Sequence, residues 1–84
     1  MKEARGSAEA AYLFDLGHEL LERAREAKTQ RDNARAGTPE REFSAGRLLA
    51  YNEVISVMQQ SAEGLGIPLD RLRLQGVDPD RDFT

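Results

Sequence analysis

The chain of 84 residues has no cysteine, no tryptophan, a single histidine and no long apolar run. Without cysteine it forms no disulfide and offers no thiolate to a metal, so its fold depends on packing alone. The densest apolar stretch, residues 48–58, is interrupted by Asn52, Glu53 and Ser56. A bilayer span needs roughly 18 to 20 apolar residues. The sequence therefore predicts a protein without disulfides and without a membrane-spanning segment.

Positive charge is also scarce, because 12 basic residues face 15 acidic ones and the net charge is −3. Affinity for nucleic acid comes mainly from basic residues that neutralise phosphates, so we expect no nucleic-acid partner. Residues 1–7 lead into no apolar segment of the kind found in secretory signals. Together with the absence of cysteine, this predicts a cytoplasmic location.

What the chain does contain is a four-residue break, Ala36-Gly37-Thr38-Pro39, between two long segments with helical periodicity. Gly37 suits the left-handed position that follows a helix. Thr38 and Pro39 suit the N-cap and the first position of the next helix. The break predicts an antiparallel helical hairpin that forms one all-α domain over residues 1–84.

Helix one is predicted over about residues 8–35, with Ser7 as its N-cap and residues 1–6 as a frayed leader. Its core face turns polar after Ala27, so we expect weaker packing near the loop. Gly17 lies inside this helix, where glycine costs about 1 kcal/mol relative to alanine. We expect a close approach of helix two to offset that cost. Gly46 in helix two has no such interpretation.

Helix two is predicted over about residues 39–65, ending at Gly66, and its apolar arc is wide. A helix that packs on one neighbour needs a narrower apolar stripe, of roughly 100°. We therefore expect a homodimer that completes a four-helix bundle, with the orientation of the two hairpins left open. The predicted dimer or partner interface consists of eight residues of this arc: Phe43, Leu48, Tyr51, Val54, Ile55, Met58, Ala62 and Leu65.

The tail, residues 67–84, is predicted to begin with one short helical turn that directs Leu69 and Leu72 to the same side. The stretch 75–84 is expected to be extended. Val77 and Phe83 are expected to dock beside the N-terminal half of helix one, because that half lies next to the end of helix two.

The spacing of Asp15 and His18, with Glu53 on the other helix, is the one pattern that resembles a metal site of a helical bundle. The helical wheel opposes this interpretation, because Asp15 and His18 point away from the core face. The chain also has no glycine-rich phosphate loop and no base placed beside a nucleophile. The sequence predicts no metal, no cofactor and no enzymatic activity.

Arg47 is the unusual residue, since it falls within the apolar arc of helix two. One interpretation is that its stem packs while its head reaches Asp32, Glu26 or a carboxylate of a second subunit. The other is a contact with an anion or a partner. In that case Arg47 and Arg31 would act together in a basic cluster near the hairpin tip, which also contains Arg35 and Arg41.

The second half of the chain resembles small uncharacterised bacterial proteins built from a helical hairpin. The matching residues are Glu42-Phe43-x-x-Gly46-Arg47-Leu48-x-Ala50-Tyr51-x-Glu53-Val54, then Leu65-Gly66-Ile67 and Val77-Asp78-Pro79-Asp80-Arg81-Asp82. The resemblance implies the hairpin fold and assigns no activity and no functional residue.

From these patterns we expect a non-catalytic interaction or regulatory protein that acts as a helical homodimer. A further protein partner would bind apolar surface that remains exposed after dimerisation. The alternative is a bundle that holds a small ligand or a metal between subunits. Such a bundle should direct a polar group, such as Arg47 or Asn52, into a central cavity, whereas an interaction protein should have a filled core and an exposed apolar groove.

Overall fold

Two long helices and a structured tail make up the protein. The computed structural model describes residues 2–84, and the side chains of residues 8–84. Helix α1 covers Lys2–Asn33 and helix α2 covers Pro39–Gly64, and the tail contains a 3-10 helix, Leu69–Leu72, and a short helix α3, Pro79–Asp82. The two long helices pack against each other. Across the described residues every element is helical, which confirms the predicted all-α hairpin.

Helix α1 begins before its predicted start and ends two residues before its predicted end. It starts at Lys2 instead of near Ala8, and it ends at Asn33 instead of Arg35. The N-cap predicted at Ser7 concerns a side chain that lies outside the described residues. Helix α2 matches its predicted range to within one residue at its C-terminal end.

The loop between the helices follows the predicted cap chemistry. Gly37 has a φ of 80°, in the left-handed region that glycine adopts without steric cost. The Thr38 hydroxyl accepts a hydrogen bond from the backbone N–H of Arg41 at 3.3 Å. The Arg41 guanidinium donates to the carbonyls of Arg31 and Ala34, at 3.2 Å and 3.1 Å. These carbonyls lie at the C-terminal end of α1, so Arg41 ties the end of α1 to the start of α2.

Helix α2 ends where Gly66, with a φ of 70°, reverses the chain. The backbone N–H of Ile67 then donates to the carbonyl of Ala62 at 2.8 Å. This backward bond satisfies a carbonyl of the last turn, as glycine-terminated helices commonly do. It also directs the tail back along the hairpin.

The core draws on both long helices and on the tail. Its three largest fully buried side chains are Leu48 and Ile55 of α2 and Leu74 of the tail. The remaining buried apolar residues are Leu21, Ala24, Ala27, Ala62, Leu72 and Phe83. Because the tail supplies three members of this cluster, the hairpin completes part of its core within one chain.

Two amide side chains of α2 hold the tail by its backbone. Asn52 Nδ2 donates to the carbonyls of Pro79 and Phe83 at 3.0 Å and 3.3 Å. Gln59 Nε2 donates to the carbonyls of Leu74 and Val77 at 3.3 Å and 2.8 Å. Buried carbonyls need such donors. The tail is therefore fixed in place by specific hydrogen bonds as well as by apolar contacts.

The tail differs from its prediction in two respects. The stretch expected to be extended contains α3, whose first turn is capped by the Asp78 side chain and begins at Pro79. Phe83 lies near Leu21 and Lys28, in the C-terminal half of α1 instead of the N-terminal half. The Lys28 ammonium fixes this position by donating to the carbonyl of Asp82 at 2.7 Å. The 3-10 helix does occur where one helical turn was predicted.

Gly17 is in close contact, although not with the element expected. A Cβ atom built on Gly17 would lie 1.8 Å from the carbonyl oxygen of Leu72. The approaching element is therefore the 3-10 helix of the tail and not α2. The sequence indicated that a backbone approaches Gly17 closely, but not which element does so. The position of the tail leaves no periodic pattern in the sequence.

Candidate interaction face

One side of α2 carries a row of largely apolar side chains that no other part of the chain covers among residues 8–84. Phe43 is 68% exposed, Val57 60% and Val54 43%. The positions of the row alternate steps of four and three residues: Phe43, Arg47, Ala50, Val54, Val57 and Ser61. This is the 3.5-residue spacing by which helices form a packing seam.

The row lies on the side of α2 turned away from the tail. Residues two positions apart on a helix point about 200° apart, at 3.6 residues per turn. Val54 and Val57 are each two positions from an amide that holds the tail, Asn52 and Gln59 respectively. The tail thus covers one side of α2 and leaves the row exposed on the other.

A groove of about 350 Å³ opens beside the row at the end of the hairpin remote from the loop. Its walls are almost entirely apolar. They come from Leu13 and Leu16 of α1, from Val57, Met58, Ser61, Ala62 and Leu65 near the end of α2, and from Ile67 and Leu72. A second, shallower depression shares Val57 and Met58 with this groove and adds Glu53 and Val54. Row and groove therefore form one continuous surface.

We call this surface the open face. It comprises the row on α2 together with the groove residues of both long helices: Leu13, Leu16, Phe43, Arg47, Ala50, Val54, Val57, Met58, Ser61 and Leu65. Monomeric proteins rarely expose a continuous apolar patch of this kind unless it binds something.

Arg47 sits on the open face between two aromatic rings. Its guanidinium carbon lies 6.0 Å from the centre of the Phe43 ring and 5.9 Å from that of Tyr51. Its Nη1 donates to Oε1 of Gln30 at 2.6 Å. Neither Asp32 nor Glu26, the carboxylates considered for it, is its direct partner among the described side chains. Glu26 is linked to it only through Gln30, whose Nε2 donates to Glu26 at 3.2 Å.

The other arginines near the loop have contacts of their own. Arg31 pairs with Asp32 at 3.0 Å, and Arg41 is engaged with the end of α1. Arg35 is exposed. A joint contact of Arg31 and Arg47 with an anion or a partner stays a prediction.

The eight predicted interface residues divide into two groups. Phe43, Tyr51, Val54, Met58 and Leu65 are exposed or half-buried. Leu48, Ile55 and Ala62 are buried in the hairpin core, at 2%, 0% and 3% exposure. These three contribute to the core and are not available to a partner. The wide apolar arc of α2 is thus shared between the core, which includes the tail, and the open face.

Five residues of the open face are absent from the predicted site: Leu13, Leu16, Ala50, Val57 and Ser61. Leu13 and Leu16 line the groove from α1. The 3.5-residue spacing of the row was the signal that could have found Val57, since it continues the steps from Phe43. Nothing in the sequence marked the groove itself.

The carboxylates and the histidine considered for a metal border different features of the surface. Asp15 is exposed on α1, whereas His18 lines a cleft between α1 and the tail beside Glu22, Arg25 and Arg73. Glu53 borders the open face on α2. Within the described part of the chain, no three histidine or acidic side chains form a group suited to a metal.

Among the described side chains, two ion pairs on the surface have shifted pKa values. The pKa of Glu19 is lowered, chiefly by a hydrogen bond from Arg23, and the same bond raises the pKa of Arg23. The pKa of Asp82 is lowered to about 2, first by its hydrogen bond from Arg81 and then by the backbone N–H of Asp78. Neither pair resembles a catalytic acid or base, whose pKa lies near the working pH.

Asn52 donates to the tail, and the Arg47 guanidinium lies beside the Phe43 and Tyr51 rings. No helix among residues 2–84 is long and apolar enough to cross a membrane.

Comparisons of the chain with protein-family models, with curated proteins and with solved structures found no match. The resemblance to small bacterial hairpin proteins thus stays a prediction, and function has to be argued from the open face itself.

Proposed function

We propose that the protein is a non-catalytic interaction protein that acts as a helical homodimer through the open face. The observation that carries the proposal is the exposure of large apolar side chains on the open face, where Phe43 is 68% and Leu65 76% exposed. Burial of such surface is the main favourable term in protein association. A second copy of the chain presents the same open face, and the two open faces can cover each other.

The length of the hairpin supports a paired arrangement. Helix α2 has 26 residues, so it is about 39 Å long, and two adjacent helices are about 20 Å wide. A whole side of the hairpin therefore measures roughly 800 Å², the area that each partner buries in a complex of standard size. The open face is the apolar part of that side.

The composition of the open face also favours a protein partner. Interface centres are enriched in aromatic residues, methionine and arginine. Phe43, Arg47 and Tyr51 form a stacked group of this kind, and Met58 lies farther along the face. Such residues carry much of the binding energy in protein complexes.

The polar groups beneath the tail have structural partners, which favours a non-catalytic role. The buried Asn52 and the half-buried Gln59 and Lys28 each donate to carbonyls of the tail. No buried side-chain nitrogen or oxygen lacks a hydrogen-bond partner in the region that the structure describes. The cytoplasmic location, the regulatory role and any further protein partner remain parts of the same proposal.

The test compares one charge placed on the open face with the same charge placed elsewhere on α2. Val54 lies in the middle of the row and is 43% exposed, whereas Leu49 is 57% exposed and lies outside the row. We expect Val54→Glu to give a monomer in sedimentation velocity at concentrations where Leu49→Glu and the natural chain are dimers. Circular dichroism of each variant checks that the helices are retained.

Two results would count against the proposal. One is a natural chain that sediments as a folded monomer at every concentration. The other is a dimer that both glutamate variants weaken equally, because the contact would then involve a different surface of α2.

A further inference from the structure

We propose that the second copy docks with its α2 antiparallel to the first α2, and that each copy inserts Phe43 into the groove of the other. This inference rests on the proposed homodimer and specifies its geometry. It makes the groove a two-chain site, because the aromatic residue that fills it comes from the partner.

The first support is a match between a projection and a recess at opposite ends of one face. Phe43 projects near the loop, with 68% of its surface exposed. The groove of about 350 Å³ lies at the other end of α2, and no aromatic residue lines it. An apolar cavity of about 150 Å³ can hold benzene, so the groove has room for a phenyl ring. A twofold axis can place the loop end of each copy against the opposite end of its partner. Each Phe43 then reaches the groove of the other copy.

The second support is the symmetric spacing of the row. The steps from Phe43 to Ser61 are four, three, four, three and four residues, so they read the same in both directions. With a twofold axis at the level of Asn52, Phe43 faces Ser61 of the partner subunit. Arg47 then faces the partner's Val57, and Ala50 faces the partner's Val54. These are the alternating layers of an antiparallel helix pair.

Each of these layers combines a larger side chain with a smaller one. Phe43 meets a serine that lines the groove, Arg47 meets a valine, and Ala50 meets a valine near the axis. Such alternation lets facing layers interdigitate without voids. Ala50 at the crossing also allows the two α2 helices to approach closely.

The arrangement with the two loops at the same end fits less well. It places α2 of one copy against α1 of the other at the same level, so Phe43 would face the polar end of α1, near Gln30 and Asn33. The two grooves would also face each other and leave a recess with nothing to fill it. Unfilled apolar space destabilises an interface because its lining loses contacts.

The distance between the two loops distinguishes the two arrangements. The natural chain has no cysteine, so Ala36→Cys carries a single spin label on each copy. From Pro39 to the level of Asn52 is 13 residues, or about 20 Å of helix, so the antiparallel dimer separates the loops by about 40 Å. Loops at the same end would lie within about 20 Å, two helix diameters. Double electron–electron resonance measures both ranges.

The mass of the labelled variant is measured on the same sample, so that two failures can be told apart. A dimer with a distance near 40 Å supports the inference. A dimer with a distance near 20 Å overturns the inference and leaves the proposed homodimer standing. A monomer overturns both.

An exchange of side chains tests the contact between Phe43 and the partner's groove. We expect Phe43→Ser to weaken dimerisation at least tenfold, and Ser61→Phe to weaken it because the groove is then filled from its own chain. The double variant, Phe43→Ser with Ser61→Phe, restores one aromatic residue per layer and should recover most of the affinity. Leu49→Ser is the control, with a change below about twofold expected for a side chain outside the face. Additive losses in the double variant would overturn the assigned contact.

Discussion

Gly17 of α1 lies directly against the backbone carbonyl of Leu72, so closely that a Cβ atom would come within 1.8 Å of that oxygen. The tail can cross the hairpin at this level only because the residue beneath it has no side chain. Leu72 and Leu74 are buried as a result, at 4% and 0% exposure. This contact decides which side of the hairpin is covered and which becomes the open face.

Gly17→Ala should therefore destabilise the protein even though alanine is the better helix former. The substitution gains about 1 kcal/mol of helix propensity, but its methyl group must displace the backbone at Leu72 and disrupt the packing of the tail. We expect a net loss of about 2 kcal/mol, in the range typical of overpacking in a core. Thermal and urea unfolding measure the change.

Gly46→Ala is the matched control, because a Cβ atom at Gly46 meets nothing within 4 Å. It should stabilise the protein by about 0.5 to 1 kcal/mol through helix propensity alone. If the two alanine variants changed the stability in the same direction, the close contact of Gly17 with Leu72 would be contradicted.

Asn52→Ala should loosen the end of the tail. The substitution removes a donor to the carbonyls of Pro79 and Phe83. The Pro79 carbonyl keeps its bond from the Phe83 N–H, whereas a buried Phe83 carbonyl left unsatisfied costs about 1 to 3 kcal/mol. We expect faster hydrogen exchange in residues 77–84 and a lower midpoint of unfolding. Glu63→Ala, an exposed change on the same helix, should leave both unchanged. Equal protection in the two variants would show that Asn52 does not hold the tail.

Acid should release α3 through Asp82. In the folded chain its pKa is about 2, below the ordinary value of 3.8, because Arg81 and the backbone N–H of Asp78 bind the charged form. A lowered pKa stabilises the fold above the unfolded value, and this contribution is lost as the pH falls from about 4 through 2. We expect hydrogen exchange of the tail to quicken over that interval.

Asp82→Asn is the comparison for the acid effect. The asparagine variant cannot titrate at this position, so the difference in tail protection between the two proteins should shrink from pH 5 to pH 2. A difference that stayed constant over this interval would mean that the Asp82 carboxylate does not contribute to tail stability.

Thr38→Ala should cost about 1 kcal/mol, because the Thr38 hydroxyl caps α2 by accepting from the Arg41 N–H. The same hydroxyl donates to the carbonyl of Arg35 at 2.6 Å, so its loss also loosens the loop. Thr29→Ala, exposed within α1, is the control and should be neutral or slightly stabilising. Urea unfolding compares the two, and an equal effect of both would argue against the cap.

Local chemistry explains which parts of the fold were predictable from the sequence. Gly37, Thr38 and Pro39 each favour one position at a helix boundary, so the loop and the start of α2 follow from three adjacent residues. The hairpin follows from that loop and from helical periodicity. The course of the tail does not, because it depends on side-chain amides such as Asn52 that bond to distant carbonyls. Such contacts have no periodic pattern.

The candidate site was predictable only in part for a related reason. Periodicity identified the wide apolar arc of α2 but could not divide it between two surfaces. The tail covers one side of α2, so Leu48 and Ile55 belong to the core while Phe43 and Val54 stay exposed. The surplus apolar surface is therefore smaller than the sequence suggested, but it is continuous and lies on one face.

The central claim is that the open face is covered by a second copy of the chain. The most direct test is the solution mass of the natural protein by light scattering over a dilution series, with helicity recorded at each concentration by circular dichroism. We predict twice the mass of the chain at high concentration, followed on dilution by reversible dissociation. A single-chain mass at every concentration, with full helicity, would contradict the claim.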